Sequence, residues 1–233
     1  MVLKTTNAAQ INRTENWRVL LYGKPGQGKT SAVKNLKGKV LVIDLDGSGK
    51  VLAEHENIEV YKFDRTHPTE DMTHVLRELP EMVKDFDTVV FDNVTAFQLD
   101  WFVERGRTSK NGIRNEIQHY GDFTNYFLRI ITAIYDLPIN IYVTAWEVTR
   151  DLEMEDGTKI TQFVPQIRDQ VLNQLLGLTD VVGRIKVNQK TGGRGAILEG
   201  NDSVYAKNRI DDRIICKIEE LFDFETNSKK IKK

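Results

Sequence analysis

The 233-residue chain is 40% hydrophobic and 29% charged, a composition that favours one compact α/β core with extensions. Its formal net charge of −1 gives no overall basic signal, so any nucleic-acid contact must come from a local patch. Cys216 is the only cysteine, which excludes an intrachain disulfide and a cysteine-ligated zinc site.

The two ends of the sequence are polar. Residues 1–16 lack the apolar segment of a signal peptide, and no run reaches the roughly 18 apolar residues of a membrane span. We therefore expect a soluble, cytoplasmic protein without a membrane partner, in which residues 1–16 form an N-terminal extension. Residues 216–233 are expected to form a basic tail that is disordered at its lysine-rich end, from residue 226 onward.

Hydrophobic runs of strand length alternate with longer amphipathic stretches, as is typical of a parallel sheet covered by helices. In chain order, the pattern predicts strands at residues 17–22, 40–45, 58–63, 88–91 and 139–144, with helices at 30–36, 69–85, 95–105 and 122–135. A hairpin turn at Asp156-Gly157, a helix at 166–176 and late strands at 181–187 and 195–198 follow. These elements predict one α/β domain over residues 17–215.

The segment from Gly23 to Thr30, GKPGQGKT, matches the phosphate-loop pattern G-x-x-x-x-G-K-[ST] between a predicted strand and a predicted helix. Its backbone N–H groups and the helix N-terminus suit a phosphate, Lys29 suits the β/γ oxygens, and Thr30 suits Mg²⁺. The alternative is an ordinary glycine-rich turn, but the flanking strand and helix favour binding of ATP with Mg²⁺. The predicted nucleotide-binding residues are Gly23, Lys24, Pro25, Gly26, Gln27, Gly28, Lys29, Thr30 and Ser31.

Acidic residues follow two of the predicted strands. Asp92 ends the buried run TVVF and is interpreted as the Walker B acid, a ligand of magnesium together with Thr30; the alternative is a helix N-cap. Asn93 occupies the place where some P-loop enzymes carry a catalytic glutamate. Asp44 and Asp46 are the remaining candidates for activating water, and Asp46 lies nearer the strand end, although it is also suited to a turn before Gly47.

A further strand ends in the sequence Thr144-Ala145-Trp146-Glu147, and we predict that it lies between the P-loop and Walker B strands. The resulting order of features resembles a RecA-like core. More closely, residues 17–211 resemble the phage single-strand-annealing recombinases, which have a shortened RecA-like P-loop core. The motifs that carry this resemblance are GKPGQGKT, VLVIDLDGS, VVFDN, VTAWE, VPQI, DVVGRI and AKNR.

The resemblance implies a mostly parallel central sheet with helices on both faces and late antiparallel strands. It also implies ATP binding and hydrolysis, single-stranded DNA binding, and annealing or pairing in phage recombination in the host cytoplasm. Asp46 would replace the catalytic glutamate, and Trp146 stands where a histidine or glutamine is expected. Lys207 and Arg209 resemble a K-x-R finger inserted into the ATP site of a neighbouring subunit in a homo-oligomer, with a basic solvated turn as the alternative.

The best local basic patch is the acid-free segment 105–115. Its cationic residues suit sequence-independent contacts with the phosphates of single-stranded DNA: Arg105, Arg107, Lys110 and Arg114. A single-strand-binding protein is a further candidate partner. Two other functions remain open at this point, a RecA-fold helicase or motor ATPase and a nucleotide-dependent DNA-binding switch with little hydrolysis.

Overall fold

The computed structural model describes residue 3 and residues 5–224. This part of the chain contains four α-helices and eleven strands. In chain order they are β1 (Arg18–Tyr22), β2 (Val40–Asp44), β3 (Ile58–Lys62), α1 (Pro68–Met82), β4 (Thr88–Asp92), α2 (Val94–Arg107), α3 (Ile117–Tyr135), β5 (Asn140–Ala145), β6 (Glu147–Glu153), β7 (Lys159–Pro165), α4 (Asp169–Leu178), β8 (Val181–Val187), β9 (Arg194–Ile197), β10 (Lys207–Asn208) and β11 (Ile215–Lys217).

One nine-stranded sheet organises the molecule, in the order β11-β9-β8-β1-β5-β4-β2-β3, with β10 pairing beside β8. The six strands from β8 to β3 in this order are mutually parallel, whereas β9, β10 and β11 pair antiparallel. The mostly parallel sheet with late antiparallel strands is therefore confirmed. Strand β5 lies between β1 and β4, where the sensor strand was predicted.

The two faces of the sheet are covered differently. The four α-helices pack on one face, around an aromatic cluster that includes Trp101, Phe123 and Phe127. The other face is covered by short 3-10 helices and the C-terminal segment. One of these, Thr30–Asn35, stands where a short helix was predicted after the P-loop. Because β2 begins at Val40, few residues remain for a longer helix.

Two helix boundaries differ from the predictions, and the β6–β7 hairpin agrees with them. Helix α3 begins at Ile117, five residues before the predicted start, because Glu116 and His119 form a capping box. Helix α4 begins at Asp169 because residues 159–165 belong to β7. Strands β6 and β7 form a separate antiparallel hairpin around the predicted Asp156-Gly157 turn, and Gly157 has a φ of 80°.

The ordered domain extends beyond the predicted boundary at residue 215. Strand β11 pairs with β9, Leu221 is fully buried, and the ring of Phe222 stacks on Trp17 with centroids 5.5 Å apart. Residues 216–224 therefore belong to the core that covers the second face of the sheet. The rest of the predicted basic tail, residues 225–233, lies outside the described residues. No helix in the described part of the chain is long and apolar enough to cross a membrane.

Replacement of Leu221 by alanine should destabilise the whole domain. Leu221 is 0% exposed, and truncation of a buried leucine leaves a cavity that costs about 2 to 5 kcal/mol of unfolding free energy. Urea denaturation followed by circular dichroism measures this loss. Ile214→Ala is the matched control, because that side chain is 57% exposed and should change stability by only about 0.5 kcal/mol. Equal midpoints for the two variants would contradict a structural role for the C-terminal segment.

Candidate nucleotide-binding site

The P-loop follows β1 at the carboxyl edge of the sheet, and the side chain of its lysine bonds to the backbone at the start of the loop. The Lys29 Nζ atom donates hydrogen bonds to the carbonyl oxygens of Gly23 and Lys24, each at 2.9 Å. Burial lowers the pKa of Lys29, while the carboxylates of Asp92 and Asp46 act in the opposite direction. Lys29 is thus a buried cation, 6% exposed, that lies near the carboxylates of Asp92 and Asp46.

The helix after the P-loop contributes less to an anion site than its sequence position suggested. The 3-10 helix Thr30–Asn35 has six residues, and the Ala32 N–H is shared between the carbonyls of Gly28 and Lys29 at 3.0 and 3.2 Å. A helix of this length has only a small dipole. Phosphate binding at this loop therefore depends mainly on the loop amides and on Lys29.

Hydrogen-bonded oxygen atoms connect the P-loop to Asp92 at the end of β4. The Thr30 hydroxyl lies 3.1 Å from the Ser48 hydroxyl, and Ser48 Oγ donates to Asp92 Oδ2 at 3.2 Å. On the other side, the Thr144 hydroxyl donates to Asp92 Oδ1. The structure thus brings together Thr30 and Asp92, the two predicted magnesium ligands. Sequence reasoning missed Ser48 as their bridge, although it lies in the quoted motif VLVIDLDGS.

The donor set fits magnesium. Mg²⁺ prefers oxygen ligands and is usually held by one or two carboxylates together with phosphate oxygens and water. Thr30, Ser48 and Asp92 supply two hydroxyls and one carboxylate. No group of three or more His, Cys, Asp or Glu side chains suited to a metal occurs among the described residues, so the chain offers no competing all-protein metal cage there.

Asp92 is buried but does not cap the following helix. The N-cap of α2 is Asn93, whose Oδ1 accepts a hydrogen bond from the Ala96 N–H at 2.8 Å. Asp92 is 1% exposed, and burial raises the pKa of its carboxyl group, opposed by the hydrogen bonds from Thr144 and Ser48. The alternative interpretation of Asp92 as a helix cap is therefore wrong.

The two aspartates after β2 have different roles. Asp44 is buried and accepts hydrogen bonds from the N–H groups of Ser48 and Gly49 at 2.9 and 3.1 Å, so it closes the turn, and burial raises its pKa. Asp46 is partly exposed, accepts from the Ser48 N–H at 2.9 Å, and also accepts from the Asn93 side-chain amide. Of the two, only Asp46 therefore contacts Asn93, the residue after Asp92.

A buried ion pair that the sequence did not predict joins the start of β6 to β8. The Arg184 guanidinium lies 2.9 Å from Glu147 Oε2, and their side chains are 7% and 4% exposed. The same guanidinium sits 3.5 Å above the ring of Phe163. The charge of Glu147 is thereby paired with that of Arg184. Asp46 is the partly exposed carboxylate beside Asn93.

Comparison with known proteins places this arrangement in a family. The family model described as an AAA domain matches residues 15–210, most of the chain. The chain belongs to the AAA domain family. No curated protein sequence matches it.

Among solved structures, this AAA domain is similar to the crystal structure of the RadB recombinase, with 13% identity, a TM-score of 0.51 and 87% of each chain covered. A KaiC-like protein of Pyrococcus horikoshii has 13% identity and a TM-score of 0.46, with 78% of this chain and 79% of that chain covered. At such low identity, likeness to RadB shows the fold alone. The AAA domain therefore has the RecA-like P-loop fold.

Lys207 and Arg209 of the AAA domain lie at the opposite edge of the sheet from the P-loop. Lys207 pairs with Val182 near the start of β8, whereas the end of β1 and the P-loop are level with Arg184. Lys207 Nζ and Arg209 Nη1 both donate to the Gly177 carbonyl, at 3.2 and 3.0 Å. Burial lowers the pKa of Lys207 to about 8. These two residues are thus not part of their own chain's nucleotide site.

The four cations predicted to bind DNA fall into two groups. Arg105 lies over the ring of Trp101 at 5.0 Å, and Arg107 Nη1 donates to the Thr66 carbonyl at 3.1 Å. Both line a groove of about 720 Å³ between α1 and α2. Lys110 and Arg114 lie instead on the exposed loop between α2 and α3, where Asn111 Oδ1 accepts from the Arg114 N–H at 2.8 Å.

Replacement of Asp92 by asparagine should leave the nucleotide-free protein folded and should abolish any magnesium-dependent activity. Because burial raises the pKa of Asp92, its ionisation weakens the wild-type fold as pH rises from the unfolded pKa through the folded pKa. Asparagine carries no such penalty. The thermal midpoint of Asp92→Asn relative to wild type should therefore be higher at pH 7 than at pH 4. A variant that loses more stability at pH 7 than at pH 4 would contradict this.

Proposed function

We propose that this AAA domain binds ATP with Mg²⁺, hydrolyses it, and uses the nucleotide to control binding and annealing or pairing of single-stranded DNA in recombination. The observation that carries the proposal is the meeting of Lys29, Thr30 and Asp92 at one edge of the sheet, with Ser48 bridging the latter two. Asp46 and Asn93 complete this edge. These groups supply a phosphate cradle, oxygen ligands for a cation and a nearby carboxylate.

Each group has a distinct role in this proposal. Bound Mg²⁺ would neutralise phosphate charge as ATP is cleaved. Lys29 and the loop amides bind phosphate oxygens, while Thr30 and Asp92 hold the cation, positioned by Ser48. Asp46 orients the attacking water and accepts its proton. Its two oxygens already accept hydrogen bonds from the Ser48 N–H and the Asn93 amide, which leaves fewer lone pairs for the attacking water and favours slow hydrolysis.

The part of the proposal that concerns DNA rests on local charge and on resemblance. Lys110 and Arg114 stand on an exposed loop, and the groove beside them is lined by Arg105 and Arg107. The motifs quoted above resemble those of phage single-strand-annealing recombinases, and the similar RadB structure is described as a recombinase. Among the proteins with this fold, these features favour a strand-annealing function.

A nucleotide-dependent switch is the second candidate. The observation that favours it is the amide of Asn93, which stands beside Asp46 where a second carboxylate would assist hydrolysis. Measurement of phosphate release with and without single-stranded DNA separates the two candidates. Stimulation by DNA supports the ATPase, whereas tight ATP-dependent DNA binding without stimulated turnover supports the switch.

Neutralisation of the exposed loop should weaken binding of single-stranded DNA and reduce its salt dependence. The double variant Lys110→Gln/Arg114→Gln removes two charges, and each lost phosphate contact should lower the slope of log K against log salt by about 0.7. Fluorescence anisotropy with a labelled oligonucleotide measures the slope. The control Lys37→Gln/Lys84→Gln removes two exposed charges elsewhere and should leave the slope unchanged. Identical slopes for all three proteins would refute the assignment of this loop.

Lys207 and Arg209 are proposed to act on the ATP site of a neighbouring subunit in a homo-oligomer. Their position at the far edge of the sheet excludes action on their own P-loop, so a role in hydrolysis requires a second copy. Their hydrogen bonds to the Gly177 carbonyl would have to be exchanged for contacts with phosphate. A cation delivered in this way stabilises charge in the transition state.

Mixing two inactive variants tests this arrangement. Lys29→Ala lacks a working P-loop but keeps Arg209, and Arg209→Ala has the opposite defect. A mixed oligomer contains some interfaces in which both groups are intact, so ATPase activity should reappear on mixing. Each variant alone at the same total concentration is the control. Absence of activity at every mixing ratio would argue against a trans-acting arginine.

A further inference from the structure

An arginine from the β8–β9 hairpin lies on the P-loop. Strand β9 begins at Arg194, which pairs with Val187 at the end of β8. The Arg194 Cδ and Nε atoms lie 2.9 Å from the point that a Cβ atom on Gly28 would occupy. Gly28 also has a φ of 99°, a backbone conformation that residues with a side chain rarely adopt, and a Cβ there would displace the Arg194 side chain. The arginine stem therefore packs directly on the loop backbone.

The electrostatic surroundings of Arg194 lack a counter-charge. Among the ion pairs of the described residues, none involves Arg194. The adjacent loop itself contains Lys24 and Lys29 together with the amides suited to phosphate. An arginine remains charged at any physiological pH. Arg194 is exposed, so water can solvate its guanidinium, and its charge is available to an anion that reaches the loop.

We propose that Arg194 contacts the phosphates of the bound nucleotide from within the same chain. This inference rests on the proposed function of the P-loop and adds a residue that lies more than 160 positions further along the sequence. A guanidinium offers several donors in a planar fork that matches phosphate oxygens. The β8–β9 hairpin thereby supplies charge to the side of the loop opposite the acids Asp46 and Asp92, which take part in the cation site.

The same-chain position of Arg194 distinguishes it from Lys207 and Arg209. Those two residues require a neighbouring subunit, whereas Arg194 already touches Gly28 of its own P-loop. Loss of Arg194 should therefore weaken nucleotide binding even in dilute, unassembled protein. Mixing Lys29→Ala with Arg194→Ala should not restore activity, because every P-loop in the mixture lacks one of the two groups that must come from one chain.

The test is the affinity for a fluorescent ATP analogue, with displacement by ATP and by inorganic tripolyphosphate. Arg194→Gln keeps most of the stem that packs on Gly28 and removes the charge, while Arg194→Lys keeps the charge. We expect Arg194→Gln to bind both displacing ligands roughly tenfold more weakly than wild type, with partial recovery in Arg194→Lys. Lys190→Gln, on the exposed turn of the same hairpin, is the control and should bind as wild type does.

The outcomes separate this inference from the proposed function. If Lys29→Ala and Arg194→Gln both bind nucleotide as wild type does, the P-loop assignment itself fails. If Lys29→Ala loses binding and Arg194→Gln does not, only the role of Arg194 is overturned. Weaker binding of ATP with unchanged binding of tripolyphosphate would place Arg194 on the nucleoside instead and would also overturn the proposal. A weaker binding of both ligands, with an unchanged melting temperature, supports it.

Discussion

The geometry of the candidate nucleotide site depends on the hydrogen bonds to the buried carboxylate of Asp92. A charge with almost no contact with water is tolerated only where hydrogen-bond donors surround it. Thr144 supplies one donor from β5, and Ser48 supplies another from the loop after β2. Because β4 lies between β5 and β2 in the sheet, these bonds fix three neighbouring strand ends relative to one another. The Thr30 hydroxyl joins the same network through Ser48, so the P-loop and the Walker B strand are held as one unit.

The unequal covering of the two sheet faces explains the form of the phosphate loop. The α-helices fill one face, and the face behind the P-loop is closed by short 3-10 helices and by residues 216–224. A six-residue helix supplies little dipole, so side chains must provide more of the positive charge. Lys29 does so from the loop and Arg194 from the β8–β9 hairpin, while Ile185 of the same hairpin leaves no room for a side chain at Gly23. The late antiparallel strands are thus part of the site.

The parts of the molecule that can be predicted are those that a short stretch of sequence specifies on its own. GKPGQGKT and the run before Asp92 specify their own local structure, and the alternation of hydrophobic runs was sufficient for the parallel sheet. The partners of these residues were harder to foresee. Ser48, the Glu147–Arg184 pair and Arg194 reach their partners only through strand order, which brings residues 18 to 166 positions apart into contact. The predicted domain end at residue 215 is wrong. The lysines of the C-terminal segment indicate a disordered tail, whereas Leu221 and Phe222 pack in the core.

The surroundings of Asp46 bear on whether this domain acts as a motor or as a binding device. Both of its carboxylate oxygens accept hydrogen bonds, one from the Ser48 backbone and one from Asn93, and Arg65 donates to its carbonyl oxygen at 3.2 Å. These hydrogen bonds occupy lone pairs that an attacking water would otherwise use. The side chain is also one methylene shorter than glutamate, so its reach is fixed by the loop that carries it. An acid constrained in this way suits slow hydrolysis in the proposed function, since rapid cycling would require a carboxylate with an oxygen free to accept a hydrogen bond from the attacking water.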